Sequence, residues 1–347
     1  MDTDTFHRRR GGGVTQEDVG RLAGVSGKTV ARVIARDLHV SKATREKVEA
    51  AIRQTGFRPN FAARSLAAAR SYLIAIFLPD HSSLYHADLF RGAAAACAAT
   101  GYHLLLEQYD AAQGGSALDR YELSLRRMRC DGVILPPPLS NDGPLIERLT
   151  ADAMPHVLIA PATDEGCSPA VVVDEARGVV ALFDHLWSLG HRTFGLCAPP
   201  PNRPYLQGRN DIFLRCLAAK GAGDAMVAPF DWQGSGMLSG RAAARALLRQ
   251  PRTPDAIFAF NDEYAQGVMI GAQELGFVVP DALSVAGFDD GAAAQFAWPP
   301  LTTIRQPLDM MADRAVQLLI GGEEPGLCPV ELVVRQSTGP KSPGCIP

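Results

Sequence analysis

The chain has 347 residues, enough for two or three domains that each bury a core, and its net charge of -3 hides a strong asymmetry. Residues 1–70 carry 14 Lys and Arg against 7 Asp and Glu, leaving 20 against 30 downstream, so a basic head precedes an acidic body. The seven cysteines are scattered without a Cys-x-x-Cys pair, which argues against a disulfide scaffold or a zinc site and predicts reduced thiols. Arg8, Arg9 and Arg10 lead into Gly11, Gly12 and Gly13 rather than an apolar run, and Ala93 to Ala99 is far shorter than the roughly 20 residues of a membrane span. A soluble, cytoplasmic protein is expected, its head meeting a polyanion.

Residues 14–56 predict three short helices. Thr15 followed by Asp18 reads as a cap with an acidic first turn, and Val19, Leu22 and Ala23 recur at helical spacing until Gly24 breaks the run. Ser26 caps a second helix that turns Val30, Val33 and Ile34 inward and leaves Gly27, Lys28, Ala31 and Arg32 outside. Ser41 caps a third, which buries Val48, Ala51 and Ile52 and stops at Gly56, before Pro59. Two helices joined by a tight glycine turn, the second with a basic face, form a helix-turn-helix suited to the major groove, where Lys28 and Arg32 can pair with guanine O6 and N7. A three-helix bundle with incidental surface charge is the alternative. Gly27-Lys28-Thr29 resembles the end of a Walker phosphate loop, but Leu22 stands where its first glycine belongs and a helix, not a strand, precedes it.

The ordered run Val14-Thr15-Gln16-Glu17-Asp18-Val19, Leu22-Ala23-Gly24-Val25-Ser26, Thr29-Val30, Arg32-Val33, Val40-Ser41 and Thr44-Arg45-Glu46-Lys47-Val48 resembles the headpiece of LacI/GalR-family regulators. It continues through Gly56-Phe57-Arg58-Pro59-Asn60 into Ala62-Ala63-Arg64-Ser65-Leu66, which is similar to the family's hinge helix. The resemblance implies base reading by the positions of Gly27, Lys28 and Arg32 and phosphate contacts from Thr15, Ser26, Ser41 and Thr44. It also implies a minor-groove hinge at Arg64 and Leu66, with Leu66 wedged into a kinked central step of operator DNA. Gly27 departs from the larger residue usual at the first reading position, and Ala31 from a common serine.

From Tyr72 onward, apolar runs of strand length alternate with helical patterns: Tyr72 to Leu78, His103 to Leu106, Gly132 to Leu135, Val157 to Ile159, Val171 to Val173, Phe194 to Leu196, Ala256 to Phe260 and Leu283 to Gly287. Near-continuous apolar strands are buried parallel ones, and strands alternating with helices predict an α/β body of two doubly wound lobes. Ligands bind beyond the carboxyl ends of such strands, which singles out Asp80, Asn261 and Asp289. Phe90-Arg91-Gly92, Asp131-Gly132, Leu189-Gly190-His191-Arg192, Asn261-Asp262, Gly287-Phe288-Asp289-Asp290 and Pro299 to Pro307 carry the same family resemblance, which implies a fold like that of periplasmic sugar-binding proteins.

On this reading the headpiece spans 14–59, the hinge and linker 60–70, and an effector-binding and dimerisation domain 71–340. Its first lobe covers about 71–173 plus 306–325, and its second about 174–305 plus a C-terminal strand. The matching positions place Ser83, Tyr85, His86, Arg209, Trp232, Asn261 and Asp289 around an interlobe cleft, where carboxylate, amide and guanidinium groups bind vicinal hydroxyls and Trp232 stacks on a sugar face. Each has a plainer role open to it: Asp289 as a helix cap, Trp232 in the core, Arg209 paired with a surface acid. Ile212 stands where the family usually has glycine. The expectation is a homodimeric repressor of a palindromic operator, controlled by a sugar or sugar derivative, without cofactor or metal. The rivals are control by a protein partner, a solute receptor without DNA activity, and an enzyme. No Gly-x-Gly-x-x-Gly, Walker loop or nucleophile elbow flanks the relevant strands, which opposes the last.

Overall fold

The computed structural model describes residues 14–34, 37, 39–57, 70–79, 84–109, 116–162, 168–199, 207–221, 225–229, 235–322 and 326–341. The chain divides into two compact units, Met1–Ser71 and Tyr72–Pro347.

In the first unit, α1 (Gln16–Ala23), α2 (Gly27–Ile34) and α3 (Lys42–Thr55) enclose a small core of Val19, Val30, Val33, Val48, Ala51 and Phe57. Local chemistry sets each helix boundary. Thr15 closes a capping box with Asp18, its Oγ1 accepting from the Asp18 amide at 3.3 Å while the Thr15 amide donates to Asp18 Oδ2 at 3.0 Å. Gly24 ends α1 in the left-handed region at φ 68°, which a glycine adopts without steric cost. Ser26 and Ser41 accept from the amides of Thr29 and Thr44, each at 3.2 Å, and so cap α2 and α3. Leu22 departs from the sequence expectation: it is 42 % exposed, because Val19 and the partly buried Ala23 already fill the side of α1 that meets the core.

The second unit is α/β, with parallel sheets. Its first half contains β1 (Leu73–Pro79), α4 (Leu84–Thr100), β2 (His103–Tyr109), β3 (Gly132–Leu135), α5 (Gly143–Ala151), β4 (His156–Ile159) and β5 (Ala170–Val171). These strands form one parallel sheet in the order β2-β1-β3-β4-β5. There follow α6 (Glu175–Ser188), β6 (Phe194–Cys197), α7 (Gln207–Ala219), β7 (Met226–Ala228), α8 (Gly236–Leu248), β8 (Ala256–Phe258), α9 (Asp262–Glu274) and β9 (Ser284–Ala286), with a second parallel sheet in the order β7-β6-β8-β9. The chain ends with β10 (Thr303–Arg305), α10 (Leu308–Leu319) and β11 (Glu331–Val333), and β10 pairs antiparallel with β11.

Both sheets are covered on both faces, and the period of two along each strand assigns the side chains. Ile74, Ile76 and Leu78 of β1 join a core with Leu89, Ala93, Met311 and Ala315 from α4 and α10. Ala75 and Phe77 face the other way, onto Tyr121, Leu125, Leu145 and Leu149. In β8 the alternation is Ala256 and Phe258 on one face, Ile257 on the other. Continuous apolar runs are therefore what this sequence must use.

The chain passes between the two sheets at three places. After β5, the Asp174 amide donates to Cys328 O at 3.0 Å and the Cys328 amide to Val172 O at 2.8 Å, joining the first crossing to the third. The second follows β10, where Asp289 bridges Arg305 and the Gln306 amide donates to Asp289 O at 3.2 Å. These crossings form the floor of the cavity described next.

Candidate functional site

Two separate features carry candidate chemistry. In the first unit, Lys28 and Arg32 are one turn apart on the exposed side of α2. Gly27 abuts α1: a methyl group there would stand 3.2 Å from Glu17 Oε1, so a larger residue would have to push that carboxylate aside. The hydroxyls assigned to phosphate differ in what they have left to offer. Thr15 Oγ1 donates to Asp18 Oδ2 at 2.8 Å, so its single proton is already committed. Ser26 shares one hydrogen with Thr29 at 3.0 Å and Ser41 one with Thr44 at 2.9 Å, which leaves one O–H of each pair to donate elsewhere. Arg64 and Leu66 lie outside the described residues, as do Asp80, Ser83 and Trp232.

In the second unit, Tyr85, His86, Arg209, Asn261 and Asp289 all line one cavity of about 390 Å³, with Pro137, Val173, Glu175, Ile212, Phe260 and Gln306 among the other wall residues. That volume is near the lower end of the roughly 300–1,000 Å³ usual for small-molecule sites. The loops beyond β8 and β9 supply Asn261 and Asp289, α7 supplies Arg209, α4 supplies Tyr85 and His86, and the crossings supply Glu175 and Gln306.

Arg209 is held on three sides. Its Nε donates to Glu175 Oε1 at 3.0 Å, Nη2 to the same oxygen at 2.5 Å and Nη1 to Phe260 O at 2.5 Å, while the guanidinium lies 3.6 Å from the Phe288 ring centroid. Burial opposes its charge, but Glu175 and Asp289 outweigh that and raise its affinity for the proton. The partner is thus an acid of the cavity wall rather than of the open surface. Asn261 Oδ1 accepts from the Tyr264 amide at 2.9 Å and caps α9, which turns its carboxamide N–H₂ to the donor role. Asp289 caps no helix, since the short helix Ala292–Phe296 has no side-chain cap.

Asp289 has φ 118°, a conformation rare outside glycine, and its Oδ1 accepts from Gln306 Nε2 at 2.8 Å. Burial pushes its carboxyl up to about 7 despite the opposing pull of Arg209. Asp262 behind it is also raised, by burial and then by Asp289; it accepts from Thr303 Oγ1 at 2.5 Å and from the Gly291 amide at 3.1 Å. Gly287 is required here, because a Cβ would collide with Asp262 Oδ1. Asp290 turns away to Arg305 Nε at 2.7 Å and Arg335 Nη2 at 2.6 Å, locking the turn from outside. His86 meets Pro137 O at 2.7 Å through Nε2, and its ring packs edge-on against Tyr85.

The arrangement offers donors and acceptors at an apolar-walled cavity but no nucleophile paired with a base, and no metal-binding cluster occurs among the described residues. Sequence reasoning missed Glu175 and Gln306. Both sit where the chain crosses between sheets, and Gln306 had a visible signal in the run Pro299 to Pro307. Among the described residues, no helix is long and apolar enough to cross a membrane.

Residues 15–60 match the family of bacterial regulatory proteins named lacI, and residues 183–338 match a periplasmic binding protein-like domain. The chain is 31% identical over 310 residues to the ribose operon repressor of Escherichia coli strain K12, covering 88% of this chain and 92% of that protein. Among solved structures it is similar to the lac repressor dimer bound to operator and the anti-inducer ONPF, with TM-score 0.72, 28% identity and coverage of 94% of this chain and 100% of that one. It is also similar to the complex of the transcriptional regulator CelR with cellobiose, with TM-score 0.67, 28% identity and coverage of 93% and 99%. The chain belongs to the lacI family of bacterial regulatory proteins. It is accordingly a DNA-binding transcriptional regulator rather than an enzyme.

Proposed function

We propose that this chain is a cytoplasmic homodimeric repressor whose DNA affinity is set by an uncharged polyhydroxyl effector, a sugar or sugar derivative, bound in the cavity of the second unit. The observation that carries this reading is the convergence of Arg209, Asn261 and Asp289 on that one cavity. A carboxylate, an amide and a guanidinium on neighbouring wall positions suit vicinal hydroxyls, each of which donates once and accepts twice. The ribose operon repressor and CelR–cellobiose likenesses support the same chemical class.

Charge narrows the class. Asp174, Glu175 and Asp289 line the cavity against Arg209, whose charge Glu175 already answers. A sugar phosphate or sugar acid would have to displace Glu175 and sit near two further carboxyls, so neutral ligands are favoured. In DNA binding, Lys28 and Arg32 read bases, the Ser26–Thr29 and Ser41–Thr44 pairs contact phosphate, and Leu66 with Arg64 engages the minor groove. Ligand then shifts a two-state dimer through its different affinities for the two states.

A thermal-shift panel of neutral sugars, polyols, nucleosides, sugar phosphates and sugar acids tests the cavity. A ligand at about 100 times its Kd adds about 2.7 kcal/mol of stability. A neutral hit that Asp289→Ala abolishes is expected; hits confined to phosphorylated or acidic sugars would overturn the charge argument. Leu66→Ala is expected to weaken specific operator binding far more than binding to random DNA, and equal losses in gel-shift titrations of both would remove the wedge.

A further inference from the structure

Beyond α2 stands an acid that neither the helix pattern nor the core requires. Asp37, three residues past the end of α2, reaches back to Arg32: its Oδ2 accepts from Arg32 Nε at 2.7 Å. Its Oδ1 accepts from the His39 amide at 2.9 Å and lies 3.0 Å from His39 Nδ1. The Asp37 backbone is itself fastened, because Arg45 Nη2 of α3 donates to its carbonyl at 2.9 Å. The carboxylate is therefore held by its own loop, whose backbone α3 fastens, and Arg32 reaches it from α2.

The chemistry of guanidinium makes the point of attachment significant. Of its five N–H bonds, one is on Nε and four are on the two Nη atoms, arranged as a planar fork. Holding Nε leaves the four Nη N–H bonds to donate elsewhere, the pair that can match guanine O6 and N7 in a bidentate contact. An unheld arginine on an exposed helix loses rotamer freedom when it docks on a base, whereas one already clamped loses less.

We propose that Asp37 is a positioning residue for DNA sequence reading: it clamps Arg32 by Nε so that the Nη fork is presented to a guanine in the major groove. The proposal rests on Arg32 being a base-reading residue. The same carboxylate places a negative charge near the DNA surface, which weakens binding to every sequence equally while the clamp favours one. Asp37 thus trades general affinity for discrimination.

The test uses the full-length protein as wild type, Arg32→Ala, Asp37→Ala and Asp37→Asn, each selecting from a randomised duplex DNA pool, with thermal melts to confirm folding. Arg32→Ala identifies the position at which guanine preference is lost. Asp37→Ala is expected to lose preference at that same position, by roughly fivefold or more, with affinity for random DNA unchanged or tighter. Asp37→Asn, which keeps the shape without the charge, is expected to fall between. Wild-type preference at that position in both folded Asp37 variants would overturn the proposal, as would an equal loss at every position. If Arg32→Ala alters no position, the base-reading role of Arg32 fails, and the clamp with it, a result distinct from failure of Asp37 alone.

Discussion

Asp289 shows how a cavity-lining group proposed to bind ligand can work against the fold that holds it. Its carboxyl, raised to about 7 from 3.8 by burial, binds a proton in the folded state over a pH range where the unfolded chain has released it. A raised acid contributes stability that is fully present below the unfolded value and is lost as pH rises through the folded one. Asp289→Asn removes the ionisable group and leaves an amide oxygen for Gln306. The variant is expected to melt higher than wild type at pH 8, with the gap closing towards pH 5, in ligand-free scans; a gap that does not change with pH would contradict the burial argument. Buried His191 runs the other way. Burial lowers its affinity for the proton, so its contribution is lost as pH falls below about 6.5.

At the scale of elements, the headpiece is marginal by construction. Among the described residues its fully buried core is six apolar side chains, so a single helix cap, typically about 1 kcal/mol, is a large share of what holds it. Thr15→Ala is expected to lower headpiece stability by about that amount while leaving DNA affinity of the folded protein unchanged, since the Thr15 hydroxyl already donates to Asp18. Denaturant melts and DNA titrations separate the two effects, and a loss of affinity without loss of stability would restore Thr15 as a phosphate contact. The caps at Thr15, Ser26 and Ser41 were legible because a hydroxyl before an apolar periodic run has few other uses. Strands β1, β3, β6 and β8 were legible because both of their faces are covered. Strand β7 was not: it has three residues, and Val227 is half exposed, so neither length nor apolar continuity marks it. Strands β10 and β11 form an antiparallel ribbon with mixed exposure, and their short runs carry no clear period.

For the molecule as a whole, the charge asymmetry already separates a DNA-facing head from an acidic body, and the strand-end rule already points to Asn261 and Asp289. The rest of the cavity was less visible for a physical reason. Glu175 follows Asp174 at the start of α6, where an acidic pair is the ordinary chemistry of a helix N-terminus, so nothing in the sequence distinguishes a ligand-facing acid from a cap. Only the fold shows that Asp174 caps, accepting from the Arg177 amide at 3.1 Å, while Glu175 reaches Arg209. Ile212 lines the cavity together with that same arginine, one helical turn along α7. Ile212→Gly is expected to widen ligand acceptance in the thermal panel, admitting larger glycosides, and an unchanged ligand range would show that this wall does not set size.

Occupancy of the cavity is proposed to change DNA affinity. The direct measurement is a fluorescence anisotropy titration of a selected operator duplex with the full-length protein, with and without saturating effector from the thermal panel, repeated with Asp289→Ala. Adding effector is expected to change the operator Kd by roughly 5- to 150-fold, in either direction, and Asp289→Ala is expected to abolish that change. Identical Kd values with and without a ligand that demonstrably occupies the cavity would contradict it.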